Sequence, residues 1–301
     1  RDVAPSRGLG DVYKRQVAVS PGEVPWNNAE KVRMQALNER DVSIDYAFMV
    51  TVEKIMRHGC GLDLEGVFSH ARPMAIDSDL LKKFSEAHGI SGHEDEVRNL
   101  VAQELEGCGE FSSDGSGSLF CTNGDSGPRV MLAAHMDEIG FLVQNITANG
   151  FLQLVGIGGW WPHTLLSQRV LVKTRSGRSV QGVIGSKPPH FLPEGQRNSV
   201  MSMEALFVDV GAESAEQVKN EFGIHLGDPV VPDAAFSPLE NPFRVMGKAF
   251  DNRAGLSVMI EAFKTLCREG HPNTLIAAAT VQEEVGTRLS LIHISEPTRR
   301  S

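Results

Sequence analysis

Apolar positions along the chain fall first at helical spacing, then in strand-length runs, then at helical spacing again. From Asp79, Leu80, Leu81 and Phe84 share one face of an expected helix, which the glycines at 89 and 92 break. Ser91 precedes Glu94 by three residues, the spacing of a capping box, and Val97, Leu100, Val101 and Leu105 continue as a second amphipathic helix. SSDGSGSLFCTNGDSGP is turn-rich, with a short strand expected around Ser118–Cys121. VMLAA, at 130–134, reads as a buried strand ending at His135. GFLVQNI, GFLQLVGI, RVLVKT, SVQGVIG and ALFVDVG follow as strands with turns such as ANG and RSG between them; AESAEQVKNEFG is the clearest helical interruption. Residues 141–246 therefore read as a β-rich domain inside an α/β chain. Helical spacing returns over 251–266, with Leu256, Ile260 and Phe263 on one face and Asp251 or Asn252 near the N-cap, before the apolar strand LIAAATV at 275–281. Helices alternating with buried strands predict an α/β layer around an insertion.

Three polar clusters sit at the ends of these elements. In AAHMDEIG, His135 stands where a strand ends and Asp137 lies two residues on. An imidazole can bind a metal through one nitrogen while a carboxylate fixes the other N–H, although H-x-D also describes an ordinary satisfied histidine beside a surface acid. In GKAFDNRAG, Asp251 precedes a helix, as either a cap or a metal-bridging carboxylate. In TVQEEVG, Glu283 and Glu284 follow a strand; neighbours on an extended strand diverge, which would send one toward a metal and the other toward substrate or water. In open α/β sheets ligands bind at the carboxyl ends of strands, and a set of His, Asp and Glu suits catalytic zinc or a related divalent ion.

Composition narrows the class. The chain has 301 residues and a net charge of −9. An acidic chain lacks the basic patch a nucleic-acid partner requires, and no apolar run approaches the ~20 residues of a membrane helix. Cys60, Cys108, Cys121 and Cys267 form no C-x-x-C pair, which fits a reduced, cytoplasmic setting. Both ends read as foreign: DVYKRQ within 1–16 and SLIHISEPTRRS within 289–301 resemble translated adapter sequence. Those segments carry net +2 and +1, which leaves 17–288 at −12. Residues 17–73 form an upstream segment of uncertain origin in which VSIDYAFMVTVEKIMRHG could make an amphipathic helix; MAIDSDLLKKF reads like a natural start at Met74.

From Ile76 to Arg288 the chain resembles the glutamyl aminopeptidase or tetrahedral-aminopeptidase family of dinuclear metallopeptidases. LLKKFSEAHGISGHEDEVR, VMLAAHMDEIGFLV, IGGWWP, GVIGSKPPH, VDVGA, GDPVV, GKAFDNRAG and VQEEVG carry the resemblance. It implies an α/β fold: a three-layer α/β/α catalytic domain in two parts, 76–140 and 247–288, with an inserted β-barrel-like oligomerisation domain at 141–246. It also implies two divalent metal ions, commonly zinc or cobalt, peptide substrates, and self-association as dimers or larger assemblies. By motif, His135 and Glu284 would bind metal, Asp251 would bridge both ions, Glu283 would be the general base and Asp137 would orient His135. The family pattern continues with a further Asp and a later His ligand, which the sequence after Arg288 does not show; the expectation is a C-terminally truncated fragment that binds metal poorly and is inactive. His190 in KPPH reads as part of a turn between barrel strands, and Trp160 and Trp161 as packing. Two other functions compete: an oligomerisation subunit with a degenerate centre, and a glycoside hydrolase, which needs two carboxyls ~5–9.5 Å apart.

Overall fold

The computed structural model describes residues 78–286 apart from 192, 197, 198, 242 and 243. The expected tails, the upstream helix and the Met74 start lie outside the described residues. Among the described residues, Asp79–Ser237 and 245–286 form one unit; those within 238–244 belong to a second, in which the Leu239 amide donates to the Arg244 carbonyl at 3.0 Å.

Helix α1 (Ser78–Glu86) buries Leu80, Leu81 and Phe84, the face its spacing predicts. Helix α2 (Asp95–Glu104) buries Val97 and Val101, with Leu105 buried just past its end. The expected capping box does not form. Glu94 occupies the N-cap without a side-chain cap bond, and both polar side chains turn elsewhere: the Ser91 hydroxyl to Asp137, the Glu94 carboxylate to the Gln282 amide.

A four-stranded sheet follows, ordered β1 (Glu110–Ser113), β2 (Leu119–Asn123), β12 (Thr274–Thr280), β3 (Arg129–His135). Strand β1 straddles the start of the turn-rich segment and left no pattern, because all four of its residues are exposed and Phe111 is the one apolar residue among them. Strands β3 and β12 pair in parallel with Thr280 opposite His135, so both end at one edge. The Met136 amide extends that pairing to the Thr280 carbonyl at 2.7 Å.

Between these strands the chain builds a closed six-stranded barrel: β4 (Gly140–Ile146), β5 (Leu152–Ile157), β6 (Arg169–Lys173), β7 (Ser179–Ser186), β8 (Leu206–Asp209) and β9 (Pro229–Pro232). Its ring order is β4-β5-β8-β7-β6-β9, and β9 pairs with β4 to close it. Val143, Leu152, Val172, Val208 and Val230 fill the interior, and helix α3 (Ala215–Asn220) adds Val218. Trp160 stacks on Phe141 with centroids 4.6 Å apart and donates its indole N–H to the Gly140 carbonyl, so it is packing, as expected. His190 sits in a short 3-10 turn after β7. Two short strands, β10 (Ser237–Pro238) and β11 (Val245–Met246), lead toward the last helix.

Helix α4 (Phe250–Glu269) packs on β3 and β12 through a face that includes Leu256, Ile260 and Phe263. Its start differs from the sequence expectation. Ala249, in a left-handed conformation, is the N-cap; Asp251 and Asn252 have non-helical torsions and are joined by a cis peptide, so Asp251 is not a simple cap. Gly255 explains part of the DNRAG string: a Cβ there would collide with the Asn252 side-chain oxygen.

Arg253 and Lys248 bring charge into the core beside this helix. The fully buried Arg253 guanidinium donates from Nε to the Met136 carbonyl (2.7 Å), from Nη1 to Phe84 (2.6 Å) and Ala87 (3.2 Å), and from Nη2 to Gly89 (3.2 Å). Lys248 Nζ donates to the Ala87 carbonyl at 2.9 Å and to Glu138 Oε1 at 2.6 Å; Arg253 Nη2 stands 3.5 Å from the same oxygen. Replacing Arg253 by Met would leave the Met136, Phe84 and Gly89 carbonyls without this donor. We expect Arg253→Met to lower unfolding free energy by roughly 3–5 kcal/mol, the usual cost of breaking a buried charged network. Urea unfolding measures it, and a loss below about 1 kcal/mol would show the guanidinium to be dispensable.

Candidate metal centre

The three polar clusters converge where β3, β12 and the start of α4 meet. His135 ends β3 with its side chain 5% exposed. Its Nε2 lies 3.1 Å from Asp251 Oδ1 and 4.0 Å from Glu283 Oε2. One donor atom each from His135, Glu283 and Glu284 lie within 4.8 Å of one another. Asp251 and Glu283 are 40% and 26% exposed, which leaves the centre open to an incoming ligand.

The glutamates reach the centre in a way the strand rule did not predict. Strand β12 ends at Thr280, and Gln282 adopts a left-handed φ of 59°. The chain has left the strand before either glutamate, so the two carboxylates converge on His135 instead of diverging. Gly158, in the IGGWWP loop that follows β5, leaves room for the arrangement. At φ +80° it is suited to glycine, and a Cβ there would collide with Ile139 and stand 3.5 Å from the Glu284 Cβ.

Asp137 is fully buried beneath this turn. Its Oδ1 accepts the Glu283 amide and its Oδ2 the Glu284 amide, both at 3.0 Å, and the Ser91 hydroxyl donates to Oδ2 at 2.5 Å. Toward His135, the nearer partner of Nδ1 is the Asp137 main-chain carbonyl at 3.0 Å, with carboxylate Oδ1 at 3.4 Å. The carbonyl fixes the tautomer, and the carboxylate adds charge behind the ring. Burial would raise the Asp137 carboxyl, but the bonds from His135, Ser91 and the two amides hold it below the ordinary range.

Opposing charge crowds the centre. Burial would lower the His135 imidazole, yet Asp137 and Asp251 outweigh it and push it up to about 10. Burial raises Glu284 to about 7; His135 opposes the shift, while Asp251, Asp137 and Glu283 reinforce it. Protons thus occupy the place where cations would balance several carboxylates around one imidazole. That donor set, oxygen-rich with one nitrogen and no thiolate, fits hard or borderline divalent ions.

All five residues singled out from sequence meet here. Ser91, Glu94, Glu138, Lys248 and Arg253 were not read as supports. Their partners are backbone groups, the Asp137 carboxylate or each other across long sequence separations, and the one local signal, S-x-x-E, pointed to a cap.

The family profile described as M42 glutamyl aminopeptidase matches residues 117–296, a span that continues past Arg288 into the segment set apart as foreign. Glutamyl aminopeptidase of Lactococcus lactis is 36% identical over 70% of this chain and 60% of its own length. The structure titled TET aminopeptidase from a marine sediment Thaumarchaeota archaeon is 42% identical, covering 72% of this chain and 62% of that one, with a TM-score of 0.67. A Pyrococcus horikoshii TET1 peptidase, titled as assembling into a tetrahedron or a large octahedral shell, is 34% identical over 72% of this chain and 64% of its own, with a TM-score of 0.65. The chain spans about three-fifths of the length of the curated relatives it matches.

Metal loading must displace protons at this centre. Below pH 7 both His135 and Glu284 carry protons in the metal-free protein; between pH 7 and 10 His135 still does. Apparent Zn2+ affinity, measured by chelator competition, is expected to rise about tenfold per pH unit from pH 7 to 8 and more steeply from 6 to 7. A flat profile would mean that the ion binds elsewhere.

Proposed function

The chain belongs to the M42 glutamyl aminopeptidase family, and from that membership we propose that the full-length protein to which it belongs is a metal-dependent aminopeptidase that releases N-terminal residues from peptides. The observation that carries the reading is the convergence of His135, Glu283 and Glu284 within 4.8 Å at the ends of two parallel strands, with Asp251 at 3.1 Å from the histidine. In this reading His135, Glu284 and Asp251 would hold the divalent ions, zinc or cobalt being the fitting ones. Bound divalent ions would supply Lewis-acid polarisation of water and of the scissile carbonyl.

The chain's own residues do the proton work. Glu283, 26% exposed, takes a proton from the attacking water and delivers it to the leaving amine. Asp137 holds the His135 ring and, through two amides, the turn that aims Glu283. A glycosidase fits less well, because the two glutamate oxygens approach more closely than the ~5–9.5 Å that glycoside hydrolysis uses.

Self-association through the barrel belongs to the same proposal. The exposure of Val183 on β7 and of Phe191 and Val200 after it, at 42%, 72% and 52%, supports it, as does the assembly named for the Pyrococcus horikoshii relative. Sedimentation should then show a dimer or larger species at micromolar concentration; a monomer throughout would count against the barrel as an interface. No helix among the described residues is long and apolar enough to cross a membrane. Cys108, Cys121 and Cys267 are free thiols, which supports a reducing, cytoplasmic compartment.

The activity test uses the full-length protein to which this sequence belongs. Release of N-terminal residues from short unblocked peptides should stop on adding a chelator and return with Zn2+ or Co2+. Glu283→Gln should lower kcat about 10²–10⁴-fold, the usual range for loss of an acid–base group, while metal content is kept. Undiminished turnover in that variant would remove Glu283 from the role of base.

A further inference from the structure

The turn that carries both glutamates is held by two buried carboxylates, and only one of them touches a residue of the proposed ligand set through its side chain. Three consecutive amides are caught: Gln282 by Glu94 Oε1, Glu283 by Asp137 Oδ1 and Glu284 by Asp137 Oδ2, each at 3.0 Å. Glu94 is 7% exposed and comes from the loop before α2; Ser91 of the same loop bonds to Asp137. The Gln282 amide belongs to a residue at φ 59°, a conformation that non-glycine residues adopt only when their surroundings enforce it. That residue redirects the chain out of β12 and makes the two glutamate side chains converge. The bond from its amide to Glu94 is therefore placed where a change in direction has the largest effect on the centre.

We propose that Glu94 is a positioning residue: by accepting the Gln282 amide it fixes the turn from which Glu283 and Glu284 enter the metal centre. The requirement is for an acceptor oxygen at that reach, not for a negative charge. Glutamine supplies such an oxygen, aspartate keeps the charge but withdraws it by one methylene, and alanine supplies neither. The inference rests on the aminopeptidase reading for its kinetic arm and on the donor set alone for its metal-binding arm.

Glu94→Ala and Glu94→Asp are each expected to lower kcat about tenfold or more with KM within about twofold, and to weaken Zn2+ affinity in chelator competition by about 10–100-fold, as loss of an orienting partner does. Glu94→Gln should retain both within about threefold. The Asp and Gln variants keep the comparison decisive if Glu94→Ala does not fold. The proposal is overturned if Glu94→Gln loses kcat and metal affinity as Glu94→Asp does, or if Glu94→Asp matches the wild type. If the wild type itself cleaves no peptide, the aminopeptidase reading fails, and the metal-affinity ratios still decide the role of Glu94.

Discussion

The buried guanidinium of Arg253 is the constraint on which the rest of the centre depends. A charge in the core is costly unless hydrogen-bonding partners replace its lost water, and here main-chain carbonyls from two separate segments supply them. Those segments are the connection from α1 to α2 and the end of β3. Arg253 itself anchors the start of α4. One side chain therefore joins the loop bearing Ser91 and Glu94, the strand end bearing His135 with Asp137 just beyond it, and the helix start bearing Asp251. Lysine could not take its place geometrically: one ammonium cannot reach carbonyls on diverging sides as a planar fork can. Lys248 and Glu138 complete the network and partly balance the charge.

Above that base the centre is built as a deficit of positive charge. Protons sit on His135 and Glu284 in the metal-free state, and the two shifts report the same crowding from its two sides. The buried carboxylate of Asp137 is different in kind. Its surroundings of amide, hydroxyl and imidazole donors favour ionisation, so it acts as a fixed anion that shapes the turn. Membership in the M42 family and this convergence of donors both fit a site that could hold metal.

Much of this was legible in the sequence because it depends on periodicity. Leu80, Leu81 and Phe84 marked α1, and LIAAATV marked β12, a strand with both faces covered. The ligand positions emerged from adding three weak clusters at element ends, each ambiguous by itself. What failed did so for physical reasons. Strand β1 is exposed throughout, and its single apolar residue, Phe111, sets no period. S-x-x-E has the same spacing whether it caps a helix or reaches across to Asp137 and Gln282, and only tertiary contact distinguishes the two uses. The alternation rule was sound for strands but was applied from the third residue after the strand had ended. Arg253 was invisible as a support because carbonyl partners have no residue identity.

The pairing of β4 with β9 closes the barrel and also returns the chain to the neighbourhood where it entered. His135 and Thr280 sit opposite one another although 145 positions separate them, and most of that interval is spent in a module whose first and last strands are adjacent. Once the barrel has folded, the span that must be closed to assemble the metal centre is far shorter than the sequence interval. The conformational entropy opposing β3–β12 pairing falls accordingly. The barrel can therefore lengthen its loops or change its outer surface during divergence with little penalty on the geometry of the centre, a freedom that a linear connection of the same length would not provide.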